Sequence, residues 1–503
     1  MHKKQLKPIM LVGTCSDAGK SIINAAFCRI FKQDGFSPAP FKAQNMSLNS
    51  YSTPEGGEMG RAQVVQAEAC GIAPHTDMNP ILLKPTTDIG SQVILHGHAV
   101  GTFSAQAYFR DALQKETLFR EAQVAYDRLA ARFNPIVLEG AGSISELNLR
   151  ERDITNMRMA IYAGADTYLV ADIDRGGVFG SVYGTIALLT PEERARMKGI
   201  IINKFRGDIT LFDEGKRMLE ELTGLPVVGI VPYFRDIYIE EEDSVVLDRK
   251  RRTRQEGKIN VAIVLLPRMS NFTDFDVLEH DARFNPYYTN RPEEIEKADI
   301  IVLPGSKNTL ADLQTIWVNG AADAVVRAHH AGKKVIGICG GYQMMGIRID
   351  DPEHTEGNLS SIAGLGLLPQ TTVLHTEKIT RQNRFTFLPK QTASRTAFPD
   401  KGYEIHTGDT QTLPDAQESP VAQLEDGRKD GYLLHASCWG TYLHGILDNP
   451  DVLDYLAEGL VASQAEKPFD YAAYKEEQYD RLAAWVRAHV DFDYIYRTAT
   501  EGD

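Results

Sequence analysis

Two clusters of residues in this chain have the types and spacing to do chemistry. The first is Val335-Ile336-Gly337-Ile338-Cys339-Gly340-Gly341-Tyr342-Gln343. An apolar run ends on a cysteine, two glycines tolerate a strained turn, and a helix-like stretch begins: the layout of a nucleophile elbow. A helix N-terminus and a histidine can turn such a thiol into a nucleophile. The histidine candidate is His444, within Gly440-Thr441-Tyr442-Leu443-His444-Gly445. An isolated cysteine is more often an inert, small buried hydrophobe. Here the glycine pair and the strand-to-helix setting favour the nucleophile.

The second cluster is Pro8-Ile9-Met10-Leu11-Val12-Gly13-Thr14-Cys15-Ser16-Asp17-Ala18-Gly19-Lys20-Ser21. An apolar strand runs into a glycine-framed loop ending Gly-Lys-Ser, which reads as a phosphate-binding loop. Its backbone N–H groups and the following helix would hold phosphates. Gly13, Thr14, Asp17 and Gly19 shape the loop, Lys20 reaches the outer phosphates, and the Ser21 hydroxyl can ligate Mg²⁺. One residue more than in the standard motif separates Gly13 from Gly19.

These residues must be positioned by strands and helices, and the chain has room for them. Its 503 residues suffice for two or three domains, with 43% hydrophobic and 24% charged residues, as in an ordinary globular protein. The net charge of -14 argues against nucleic acid as a partner. The one basic run, Arg249-Lys250-Arg251-Arg252, lies near the acidic Glu240-Glu241-Glu242-Asp243 and reads as a solvated linker. No stretch approaches membrane-spanning length. The five cysteines show no paired spacing, which suggests a reducing cytoplasm and no structural zinc.

Apolar runs at Ile136-Val137-Leu138, Thr167 to Ala171, Gly199 to Asn203 and Val227 to Pro232 alternate with helical stretches, predicting a parallel sheet covered on both faces. A second series begins at Asn260 to Val264, continues at Ile300 to Gly305 and ends on the Cys339 strand. The expected organisation is a domain over 1–239, a linker over 240–258, a second domain over 259–450, and a helical extension over 451–503 that docks on one of them. The stretch Gln382 to Lys401 lacks periodicity and reads as loop.

Several blocks carry a resemblance: Phe41-Lys42-Ala43-Gln44-Asn45-Met46-Ser47-Leu48-Asn49-Ser50, Gly57 to Gln63, Leu138 to Ser143, Ala171 to Phe179, Asn203 to Asp208, Gly402 to His406, and Thr441 to Gly445. Nearly end to end, the chain resembles the cobyric acid synthase family, glutamine-dependent amidotransferases of cobalamin biosynthesis within the CobB/CobQ group. The resemblance implies an α/β fold in two parts: an N-terminal P-loop NTPase domain of dethiobiotin synthetase type, whose phosphate loop has the same extra residue, and a C-terminal class I glutamine amidotransferase domain, flavodoxin-like. It also implies cytoplasmic ATP- and glutamine-dependent amidation of the b, d, e and g carboxylates of adenosyl-cobyrinic acid a,c-diamide. ATP would form an acyl phosphate, glutamine would supply ammonia, and the cobalt would belong to the substrate.

Residue roles follow on that basis. Cys339 attacks the glutamine side-chain amide, with His444 as base and then acid. Backbone N–H groups near Gly340 and Gly305-Ser306 form the oxyanion hole. Ser21 and Glu139 are expected Mg²⁺ ligands, with Glu58 a further candidate. Lys42 faces the γ-phosphate or the substrate carboxylate, and Asn203 suits base recognition. Arg61, Asp172, Asp174, Arg175 and Arg206 are expected at the corrinoid. A glutamate often follows the catalytic histidine by two residues in class I glutaminases, but Ile446 stands there, so the third triad member is read as absent. Glu404 and His406 are candidates to orient His444, while His375, His406 and His435 read first as packing residues. No tightly bound organic cofactor and no protein cobalt ligand are expected; a homo-oligomer is compatible with the chain. The nearest rival is a cobyrinic acid a,c-diamide synthase, against which the Phe41 to Ser50 block argues. More distant ones are a P-loop regulatory ATPase with an inactive glutaminase-like tail and a free-standing glutaminase.

Overall fold

The computed structural model describes residues 5–87, 90–104, 112–240, 254–390, 400–460 and 469–500. The first sheet has six parallel strands in the order Val227–Pro232, Met197–Phe205, Asp166–Asp172, Ile9–Gly13, Ile136–Glu139 and Ala39–Phe41. Ile9–Gly13 is buried along its whole length, as an uninterrupted apolar run in a doubly covered sheet must be. It lies between Asp166–Asp172 and Ile136–Glu139, so its C-terminal end opens where the strand order turns back, the crevice in which such sheets bind ligands. Helix Lys20–Gln33 starts there behind Gly19, whose left-handed φ of 93° ends the loop.

A smaller sheet of Gln44–Met46, Ile81–Thr87, Gly90–Leu95 and His98–Ser104 extends this half. The second half is built on strands in the order Phe284–Thr289, Ile259–Val264, Ile300–Leu303, Lys334–Ile338, Cys438–Thr441 and Tyr432–His435. All are parallel except the last, which pairs antiparallel. Strand Lys334–Ile338 is fully buried and delivers Cys339 to helix Gly340–Met345.

Two expectations change. The Gln382 to Lys401 stretch is not loop where described: the antiparallel pair Gln370–Phe387 and Asp400–Thr412 runs through it, with 391–399 outside the described residues. Asn383, Phe385 and Phe387 are buried while Arg384 is exposed, an alternation too short, and with an asparagine on its buried face, to stand out in the sequence; the hairpin also touches Ser50–Ser52 of the first half. Residues 241–253, with the basic run, also lie outside the described residues. Glu240, however, is no solvated linker acid: it is buried and paired with Arg61 and, at 3.5 Å, with Lys475. Helices Tyr471–His489 and Phe492–Thr500 dock on the first half. Phe492 packs on Phe27 with ring centroids 4.9 Å apart, Arg487 pairs with Asp34 at 2.9 Å, and Lys7 N–H donates to Ala499 O at 2.9 Å.

Candidate active site

Cys339 sits at the elbow with φ 52° and ψ -111°, a strained conformation for a non-glycine residue. The turn closes because its neighbours lack side chains: a Cβ on Gly341 would lie 1.9 Å from Leu303 O. A Cβ on Gly340 would lie 2.9 Å from Ser306 N, and one on Gly305 would lie 3.3 Å from His444 Cε1. The short pair Gly305–Ser306 with Met269–Ser270 thus brings backbone N–H groups beside the thiol, where an oxyanion hole belongs.

His444 shares a pocket with Cys339 and is fully buried. Its Nδ1–H donates to Asp274 Oδ2 at 2.7 Å, which leaves Nε2 for the thiol. Asp274 Oδ1 accepts from Gly445 N–H at 3.0 Å, so both carboxylate oxygens are engaged. Burial would lower the His444 pKa, but the charges of Asp274 and Cys339 and their hydrogen bonds raise it to about 10. Tyr403 stacks on the imidazole, with centroids 5.2 Å apart.

The triad is therefore complete, against the expectation from Ile446, and neither Glu404 nor His406 orients His444. Glu404 pairs with Arg428 at 2.9 Å and with Asn383 at 2.8 Å. His406 lines the pocket but stacks on Tyr442 and bonds Gly408 O at 2.8 Å. Asp274 lies on the single turn Phe272–Phe275, 170 residues before His444. The only signal in the sequence is an acid set among aromatic residues, at Asn271-Phe272-Thr273-Asp274-Phe275.

At the phosphate loop, Lys20 Nζ donates to Gly142 O at 2.8 Å and Cys15 O at 3.1 Å, and burial lowers its pKa to about 8. Asp17 (φ 57°) and Gly19 supply the left-handed turns that accommodate the extra residue, and Thr14 N–H donates to Val170 O at 3.1 Å. Ser21 Oγ donates to Glu139 Oε1 at 2.8 Å, Lys42 Nζ to the same oxygen at 3.0 Å, and Gln66 Nε2 to Oε2 at 2.6 Å. Burial would raise the Glu139 pKa, but Lys42 and these donors hold it below the ordinary carboxylate range. A hydroxyl and an ionised carboxylate side by side are the hard oxygen donors Mg²⁺ takes. Among the described residues no group of three His, Cys, Asp or Glu side chains could hold a metal, so nucleotide phosphates and water would complete a shell there.

Asn203 Nδ2 donates to Ala18 O at 2.9 Å, against the loop. Asp172 pairs with Lys204 at 2.9 Å, Arg175 with Asp17 at 3.0 Å, and Arg206 with Asp174 at 2.6 Å, a charged rim at the strand ends. Two candidates do not join them. Glu58 is buried between Lys84 (2.7 Å) and Lys378, and it also accepts from Ser50 Oγ at 2.7 Å. With its oxygens taken by cations it has no place beside Ser21 and Glu139. Arg61, buried against Glu240, is structural rather than a wall of an open cleft.

A phosphate loop with an acid–serine pair and a Cys–His–Asp centre on one chain define a glutamine-dependent amidotransferase with a nucleotide-driven half. Residues 9–245 match the CobQ/CobB/MinD/ParA nucleotide-binding domain, and residues 260–452 match the CobB/CobQ-like glutamine amidotransferase domain. The chain is 73% identical to a cobyric acid synthase of Parabacteroides distasonis, over 99% of each chain. It is 60% identical to that of Bacteroides fragilis (99% of this chain, 100% of the relative) and 46% identical to that of Salmonella agona (97% of each). The chain belongs to the cobyric acid synthase family. No helix among the described residues is long and apolar enough to cross a membrane.

Proposed function

We propose that this protein amidates the b, d, e and g carboxylates of adenosyl-cobyrinic acid a,c-diamide, with ATP for activation and glutamine as nitrogen source. The observation that carries the reading is the coexistence of the Cys339–His444–Asp274 centre and the Ser21–Glu139–Lys42 cluster in a chain of this family.

Cys339 attacks the glutamine amide, backbone N–H groups at Gly340 and Ser306 receive the developing oxyanion, and His444 gives its proton to departing ammonia. Asp274 holds the ring in the tautomer that this requires. In the other half, Lys20 and Lys42 neutralise phosphate charge as the substrate carboxylate takes the γ-phosphoryl group. Ser21 and Glu139 would hold Mg²⁺, which supplies further charge neutralisation to the phosphates. Asn203 suits the base, and the rim of Arg175 and Arg206 suits the acidic corrinoid. Ammonia passes between the halves under cover, since water would hydrolyse the acyl phosphate.

The test is mass spectrometry of adenosyl-cobyrinic acid a,c-diamide incubated with protein, ATP, Mg²⁺ and glutamine, beside Cys339→Ala supplied with ammonia. Successive carboxylate-to-amide mass changes in both samples are expected. No mass change alongside intact glutamine hydrolysis would reject the corrinoid substrate and keep the amidotransferase.

A further inference from the structure

The pocket around Cys339 is walled by both halves of the chain. Lys84, from strand Ile81–Thr87 of the nucleotide-binding half, lines it together with Lys307, Lys378 and Glu356 of the amidotransferase half. We propose that Lys84 is a glutamine-binding residue contributed in cis by the nucleotide-binding half: with Lys307 it receives the α-carboxylate of glutamine, while Glu356 receives the α-ammonium. This rests on the glutaminase reading of Cys339, not on the identity of the acceptor.

Cys339 needs only the amide end of glutamine; the other end is a zwitterion and must meet one cation and one anion. The wall has both. Three ammonium groups line the pocket with a single carboxylate, Glu356, while Glu58, outside the lining, is shared between Lys84 and Lys378. That leaves Lys307 and Glu356. Glu356 Oε2 accepts Thr309 N–H at 2.6 Å. Burial and the nearby Lys378 and Lys84 push Lys307 down to about 7, and burial pushes Glu356 up to about 7. Crowded ammonium groups with too few carboxylates are a site for an incoming carboxylate.

Lys84 is fixed to serve it. Its Nζ donates to Ser50 Oγ at 2.8 Å and to Glu58 Oε1 at 2.7 Å, two of the three donors an ammonium has. The junction is pinned on either side. Asn49 Oδ1 accepts Phe272 N–H at 3.0 Å, and Asn271 Oδ1 accepts Ser50 N–H at 3.2 Å, a reciprocal exchange between the halves. Residue 272 opens the turn that carries Asp274. The Phe41 to Ser50 block thus serves the glutamine site as well as the nucleotide half.

The test is glutamine hydrolysis by Lys84→Met, with ATP and Mg²⁺ present and no corrinoid, using both glutamine and 4-aminobutanamide, which lacks the α-carboxylate. Lys84→Met should raise the glutamine KM by roughly 10- to 100-fold with little change in kcat, and leave 4-aminobutanamide hydrolysis nearly unchanged. An unaltered glutamine KM, or equal losses on both substrates, overturns the proposal. Because Lys84→Met strands Glu58 with Lys378 alone, thermal melting accompanies it. If the variant unfolds, Lys84→Gln, which can still donate to Glu58 but carries no charge, is assayed in the same way; unfolding of that variant too makes Lys84 a structural lysine and rejects the proposal. A wild-type protein that hydrolyses no glutamine rejects the glutaminase reading beneath it, whereas failure of the corrinoid reading leaves these results standing.

Discussion

Asp274→Asn is the most informative perturbation of the amidotransferase centre, because it changes one charge and almost no volume. The wild-type carboxylate makes a 2.7 Å contact with His444 Nδ1 and a 3.0 Å contact with Gly445 N–H, both out of water. An amide can keep an oxygen on only one of these donors and turns an N–H toward the other. The charge-assisted bond alone is worth about 1.5–3 kcal/mol, and losing tautomer control in a comparable Ser–His–Asp triad costs about 10⁴ in kcat. Glutamine hydrolysis should therefore fall by about 10²- to 10⁴-fold, mainly in kcat. The pH profile carries a second signature. His444 is held at about 10 against the downward pull of burial, chiefly by the charges of Asp274 and Cys339. A raised pKa keeps the imidazolium below that pH and loses it above. Removing Asp274 lowers the pKa, so the alkaline fall in glutaminase rate should move to lower pH. Ammonia-supported amidation should be untouched, since its chemistry lies at Glu139 and Lys42. Undiminished glutamine hydrolysis with an unmoved alkaline limb would refute the assignment; equal loss of the ammonia-supported reaction would show that the substitution damages the fold.

Three further outcomes follow from the packing and the charges. Glu139→Gln should reduce ATP-dependent amidation by about 10²-fold or more and raise the Mg²⁺ concentration needed, while glutamine hydrolysis persists; steady-state assays of the two reactions check this. Gly341→Ala forces a Cβ to within 1.9 Å of a backbone oxygen that a central strand holds in place, so it should destabilise the protein by about 3 kcal/mol or more, visible as a lower melting temperature. Glu240→Gln leaves Arg61 and Lys475 buried without their shared carboxylate and should cost about 3–5 kcal/mol in a denaturant titration, part of which Arg61→Met should restore in the double variant.

What the sequence disclosed and what it hid follow one physical rule. The Cys339 elbow and the Gly13 to Ser21 loop were legible because backbone strain, glycine freedom and the reactive group are set by neighbours in the chain. The parallel strands were legible because burial on both faces leaves an unbroken apolar run. Asp274 was not, because a histidine's orienting acid can arrive from any element that reaches it, and this one comes from a turn of only four residues. Glu58 and Arg61 read from sequence as metal and corrinoid residues because each looks like a free charge in a glycine-rich block. Their partners, Lys378 and Glu240, lie 320 and 179 residues away. The hairpin through Gln382 stays hidden because only Phe385 and Phe387 mark its buried face with apolar side chains, while Asn383 breaks the pattern.

The return of the last two helices to the first half has a consequence for how the protein is made. Phe492 and Ile495 belong to the same apolar cluster as Phe27, Phe31 and Tyr168, so that core lacks part of its filling until residues near 500 leave the ribosome. The amidotransferase half is translated second, yet its own apolar cluster draws nothing from residues 492–500 and can condense first. Birth order and folding order are thereby uncoupled. A premature stop after residue 490 would strike the phosphate-loop half, the part farthest from the lesion along the chain, and leave the cysteine half comparatively whole.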